Sequence, residues 1–142
     1  YDYNRMSLIL AVLEKRMGYF FGNLDAYINI IGGLKLDDPS SDLPVALSLL
    51  SCLTDICIPE DVVSFGEIGL AGELRSVSHI TQRIQEVIRL GFHTCILPEQ
   101  CIEAVPASIQ KQICLVGAKT IAQAFGAVRK QAPEHRTNSV QK

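Results

Sequence analysis

The chain has 142 residues, 48% of them hydrophobic and 20% charged, with a net charge of −2. That balance supports one domain with a packed core and excludes a chain disordered throughout, and no apolar run reaches the roughly 18 residues that cross a bilayer as a helix. Residues 129–142 carry four basic side chains against Glu134, a net of +3 that leaves −5 on residues 1–128. An acidic body excludes wrapping of nucleic acid by bulk charge, so any DNA contact has to come from a local patch or from many copies side by side.

Taken in chain order, residues 4–16 read as a helix, with Met6, Leu8, Ile9, Leu10, Val12 and Leu13 on one broad face and Gly18 as its stop. Residues 25–31 alternate as a strand, Ala26, Ile28 and Ile30 opposite Tyr27, Asn29 and Ile31, before the bend at Gly32-Gly33. A polar loop over 35–42 follows, in which Ser41 or Asp42 is expected to cap the next helix, with Pro44 tolerated in its first turn. Residues 43–53 are nearly all apolar and predict a buried central helix.

Pro59 and Glu60-Asp61 mark a turn, and residues 62–68 and 73–77 are expected to be hairpin strands around Gly69-Leu70-Ala71-Gly72. Residues 79–90 predict an amphipathic helix, because Ile80, Ile84, Val87 and Ile88 recur at helical spacing and Gly91 closes the run. A strand over 93–97 before Pro98, a short helix over 99–104, a strand over 113–116 and a closing helix over 120–128 complete the pattern. From Gln131 onward the polar, proline-containing composition predicts disorder. Helices alternating with strands, together with an antiparallel hairpin, define an α+β class with a mixed sheet.

The chemistry-bearing residues are sparse. Cys52, Cys57, Cys95, Cys101 and Cys114 form no CxxC pair and only three histidines are present, so no zinc site is expected. Their apolar surroundings predict reduced, buried thiols of an intracellular protein. Cys95 lies two residues from His93, a spacing that alternate strand positions give without any catalysis. No GxxxxGK[ST] phosphate cradle occurs. With Tyr1 in place of an initiator Met, the chain is expected to be a piece of a longer protein.

Four segments carry a family resemblance: Tyr3-Asn4-Arg5 opening the helix that ends Leu10-Ala11-Val12-Leu13-Glu14-Lys15-Arg16; Tyr27-Ile28-Asn29-Ile30-Ile31-Gly32-Gly33-Leu34 followed by Leu36-Asp37-Asp38-Pro39; Asp42-Leu43-Pro44-Val45-Ala46-Leu47; and Phe65-Gly66-Glu67-Ile68-Gly69-Leu70-Ala71-Gly72-Glu73-Leu74-Arg75 with Gln82-Arg83-Ile84 and Leu90-Gly91-Phe92. In this order they resemble the protease-like domain shared by Lon proteases and the RadA (Sms) recombination proteins, over about residues 3–128. The resemblance implies an α+β fold like ribosomal protein S5 domain 2, with residues 1–128 as the Lon-like domain, its first strands lying upstream, and 129–142 as a basic tail. It also implies a homo-hexameric ring and a part in recombination and DNA repair, in which an ATP-dependent motor drives branch migration. ATP, Mg and Zn are then expected on domains N-terminal to this one, with no cofactor here.

The same resemblance frames a test of proteolysis. A Lon-type site pairs a serine nucleophile with a lysine neutral enough to take its proton. The matching residues are Ser40, within Asp38-Pro39-Ser40-Ser41-Asp42, and Arg83 at the lysine position. Arginine stays protonated and cannot serve as the base. Asp38 and Asp42 replace small residues and put negative charge where an oxyanion would form. The expectation is a pseudoprotease, with Arg83 bridged to Asp38 or Asp42 and with Ser40 and Ser41 capping a helix. An active Ser-Lys peptidase is the alternative; Lys35, His79 and His93 are unplaced as substitute bases.

Lys35, Arg75, Arg83 and Arg89 are candidates for DNA or subunit contact. Repeated around a ring they would form a positive stripe for the phosphates of single-stranded or duplex DNA, and a RecA-type recombinase is a further expected partner. The rival expectation is an assembly module without DNA contact. No membrane association is expected. The expected location is the bacterial cytoplasm, or a chloroplast or mitochondrion for a plant-type homologue.

Overall fold

A computed structural model describes residues 3–18 and 38–131. The expected strand over 25–31, the Gly32-Gly33 bend, Lys35 and the tail over 132–142 lie outside the described residues.

The first helix, α1 (Tyr3–Met17), buries Met6, Ile9, Leu10, Val12 and Leu13. Gly18, at φ +75°, ends it and donates its N–H to the Glu14 carbonyl at 3.2 Å. A single 3-10 turn, Pro39–Ser41, leads into α2 (Asp42–Thr54), which buries Leu43, Val45, Ala46, Leu47, Leu49 and Leu50. An apolar run this dense leaves only a narrow open strip at Ser48 and Cys52, and the rest of α2 is packed.

The strands differ from the sequence expectation. Residues 62–68 are not one hairpin arm. They divide into β1 (Val62–Ser64) and β2 (Glu67–Ile68), and only β2 pairs antiparallel with β3 (Leu74–Arg75). The break falls at Phe65-Gly66, where the Phe65 N–H bonds to the Ile96 carbonyl and the Gly66 N–H turns to the Ser40 carbonyl. A Cβ on Gly66 would stand 3.2 Å from the Leu43 Cβ, so the connector lies flat on α2 only because the residue has no side chain.

After β3 comes α3 (Ile80–Arg89), which buries Ile80, Ile84 and Val87; His79 before it holds φ +55°. Gly91, at φ +98°, closes α3 in a Schellman pair, Phe92 N–H to Val87 carbonyl and Gly91 N–H to Ile88 carbonyl, both at 3.0 Å. Then follow β4 (Thr94–Pro98), the expected short helix, of 3-10 type (Glu99–Ala104), the unforeseen one-turn α4 (Ala107–Gln110), β5 (Cys114–Ala118) and α5 (Ile121–Gln131).

The expected mixed sheet is two separate sheets among the described residues: a parallel one in the order β1-β4-β5 and the two-stranded β2-β3 hairpin. Central strand β4 is buried on both faces, as parallel strands covered by helices are. Ile96 joins the cluster built by α1, α2 and α5; Cys95 and Leu97 join the one built by α3, Cys101, Val105, Ile109 and Ile113.

The thiols correct a further expectation. Cys95 and Cys101 are buried, but Cys52, Cys57 and Cys114 are exposed, because they sit on the outer side of α2, in the loop after it and at the start of the outer strand. Burial pushes the Cys95 thiol up to about 12, so it stays protonated and unreactive at neutral pH.

Candidate functional site

Two backbone bonds seat the turn that carries Ser40. The Gly66 N–H reaches the Ser40 carbonyl and the Leu43 N–H reaches the Gly66 carbonyl, both at 2.9 Å. The β1–β2 connector therefore fixes Ser40, Ser41 and Asp42 against the start of α2.

Asp38 caps the 3-10 turn, its Oδ1 accepting the Ser40 N–H at 3.0 Å. Ser41 sits at the N-cap of α2 without a side-chain cap bond, so the expected serine cap is not formed there, and the side-chain cap falls one turn earlier, from Asp38 on the 3-10 turn. Ser40 itself is 5% exposed. A cleft of about 240 Å³ opens beside it, lined by Asp38, Pro39, Glu67, Ser76, Val77 and Ser78.

Arg83 reaches this cleft from α3. Its Nη2 bonds to Asp38 Oδ2 at 2.6 Å and its Nε to the Ser78 carbonyl at 2.8 Å, while the guanidinium lies 5.9 Å from the Phe65 ring centre. The pair is part-exposed, 24% on the arginine and 46% on the aspartate. The bond from the Ser40 N–H, followed by the one from Arg83, holds the Asp38 carboxyl below its ordinary value. A carboxylate made more acidic is a poorer acceptor for a serine proton.

Asp42 does not meet Arg83. It is fully buried and takes the guanidinium of Arg5 on α1, with Nε at 2.9 Å from Oδ1 and Nη2 against Oδ2. Its Oδ2 also accepts the Ile68 N–H at 3.0 Å, and Arg5 Nη2 lies 3.2 Å from Glu67 Oε1. The bonds to Asp42 push the Arg5 guanidinium further toward its charged form. One buried carboxylate thus ties α1, α2 and the hairpin together. Sequence reasoning missed Arg5 and Glu67. The available signal was Arg5 standing four residues before buried Ile9, a charge next to the apolar stripe.

The other basic candidates carry carboxylates. Arg75 is half-exposed with Glu73 Oε2 at 3.4 Å, and Arg89 pairs with Glu86 one turn away. Lys35 lies outside the described residues. Among the described residues no group of three or more His, Cys, Asp or Glu side chains could hold a metal ion, and no helix is long and apolar enough to cross a membrane. The ATP and Mg implied by the resemblance have no phosphate-cradling loop in this sequence to receive them.

A parallel sheet covered by helices, with a serine-bearing turn seated on a glycine connector, defines a mixed α/β domain with a cleft beside that serine. Comparison with known proteins gives the family. Residues 7–101 match the family described as subunit ChlI of Mg-chelatase, and the chain belongs to that family. Within it, the chain is similar to DNA repair proteins named RadA: 44% identical over 124 residues to that of Chlamydia muridarum, 44% over 124 residues to that of Listeria monocytogenes, and 42% over 127 residues to that of Streptococcus pyogenes serotype M1. These matches take in 87–89% of this chain and 27–28% of each relative, so the chain spans about a quarter of the curated relatives it matches.

Proposed function

We propose that this chain is a non-proteolytic, Lon-like domain of a RadA-type DNA repair protein, one that assembles subunits into a hexameric ring and holds DNA without regard to sequence during branch migration. The observation that carries the first part is the Arg83–Asp38 clamp beside buried Ser40. It puts a permanent cation and a strengthened acid where a serine peptidase needs a neutral base. In this reading ATP, Mg and Zn serve other domains of the longer protein, and a RecA-type recombinase is a partner of the whole. The relatives compared are bacterial, which favours a bacterial cell over an organelle.

Incubation of the purified chain with unfolded casein tests the reading. No cleavage is expected; cleavage that disappears in Ser40→Ala overturns it in favour of a Ser-Lys-type peptidase with another base.

A second reading, an assembly module without DNA contact, draws support from the ion pairs on Arg75, Arg83 and Arg89, which leave little uncompensated positive charge at those positions. Duplex and single-strand binding at low salt separates the two. Binding that weakens steeply with salt supports DNA contact, and an assembled ring with no shift supports the module.

A further inference from the structure

Among the described residues the parallel sheet ends at β5, which has β4 on one side and no strand on the other. The Cys114 N–H bonds to the His93 carbonyl at 2.9 Å. In a parallel ladder of this register, residues 114, 116 and 118 point their backbone groups at β4, and Leu115 and Gly117 point theirs outward. Cys114 is exposed and Leu115, Val116 and Gly117 are part-exposed, so the outer edge is reached by water. A row of outward N–H and C=O groups on an open edge is a template for one more strand.

A stripe of α5 runs beside this edge. Gln123, Gly126, Ala127 and Lys130 recur at helical spacing and, with Val116 and Gly117, line a groove of about 380 Å³. Gly117 lines it through its backbone, because a Cβ there would stand 2.9 Å from Ile102 Cδ1 on the opposite face of the sheet. Gly126 is inside a helix, where glycine weakens the structure relative to alanine. A Cβ placed on it meets no atom within 4 Å, so packing among the described residues gives no reason for the glycine. The groove also carries a cation. Arg75, Arg83, Arg89 and Lys119 each hold a carboxylate, whereas Lys130 has none among the described residues.

We propose that β5 takes up an extended, acidic segment of a different protein as an added strand. The segment's backbone bonds to Leu115 and Gly117, an apolar side chain lies over Gly126 between Val116 and Ala127, and a carboxylate meets Lys130. Backbone pairing supplies affinity for any extended chain, while the groove and the cation select segments that join apolar to acidic residues. The inference depends on neither the ring nor the DNA reading, since it uses a surface that both leave unassigned.

Amide NMR on the isotope-labelled 142-residue chain tests this. The probes are a terminally blocked peptide that alternates valine and threonine and ends in two glutamates, and the same peptide ending in two lysines. The acidic peptide is expected to bind about tenfold more tightly than the basic one and to slow hydrogen exchange at the Leu115 and Gly117 amides. Lys130→Glu is expected to reverse the preference. Gly126→Leu fills the groove without meeting an atom at its Cβ, and is expected to weaken binding about tenfold with far-UV circular dichroism unchanged. Ala127→Glu, on the groove wall, repeats that test if Gly126→Leu disturbs the helix. Binding without protection of the two amides overturns the added strand. A preference unchanged in Lys130→Glu overturns the acidic partner, and binding unchanged in both groove variants overturns the groove. Binding of neither peptide overturns the proposal as a whole. Protection of the two amides that rises with protein concentration, with no peptide present, means that a second copy covers the edge and overturns a different protein as its occupant.

Discussion

Two arginine–aspartate pairs lie on either side of Ser40, and they are opposites. Asp42 is buried, and its oxygens take the guanidinium of Arg5 from α1 and the Ile68 N–H from the hairpin, so three elements converge on it. Asp38 stands at the edge of a cleft with about half its side chain in water, and Arg83 pairs with it there. Removing one partner of a buried pair strands a charge in the core, whereas removing one at the rim lets water take its place. The first pair ties three elements together in the core; the second lies at the surface, and on the proposed reading it is the one that bears on the chemistry of Ser40.

The largest test of this contrast is Arg5→Ala, which takes the guanidinium away from the buried Asp42 carboxylate. Stability is expected to fall by about 3 kcal/mol in urea unfolding. A loss no larger than that of a surface pair would break the distinction.

Arg83→Ala removes the Asp38 pair, the bond to the Ser78 carbonyl and the contact with Phe65, all part-exposed. The expected loss is about 1 kcal/mol by the same measurement. A loss equal to that of Arg5→Ala would show the rim pair to be structural as well.

Smaller still is the acid response of Asp38. Its folded-state pKa is depressed from the ordinary 3.8, so the stability it contributes is present above that value and is lost as pH falls through the lower folded value. Half exposure limits this to well under about 1 kcal/mol. Asp38→Asn is expected to flatten the stability profile below about pH 4, and an unchanged slope there would remove Asp38 from the account.

The smallest expected effect is none. Arg83→Lys places the residue type of a Lon-type site at its position, yet Asp38 remains to hold that lysine protonated. Casein is expected to stay intact; cleavage by this variant would mean that the arginine alone silences the site.

Much of this was legible in the chain. The apolar spacing of 4–16 and 79–90 located α1 and α3 to within a residue or two, because a helix facing a core repeats its pattern whatever it packs on. The density of 43–53 announced a central helix for the same reason. The frame of Ser40 and Arg83 came from the family resemblance, and the chemistry of arginine against lysine needs no coordinates.

The residues alone did not determine where 62–68 divides, which partner Asp42 takes, or which cysteines are covered. Each depends on contacts between residues far apart in sequence. The strand divides where the Gly66 N–H and carbonyl turn to Ser40 and Leu43, and Asp42 pairs with Arg5, thirty-seven positions away, because α1 and the hairpin meet at the start of α2. Local periodicity follows from how a chain repeats its own geometry. A buried charge or a close backbone approach is settled only when separate elements exclude the same water, and that happens in the tertiary structure.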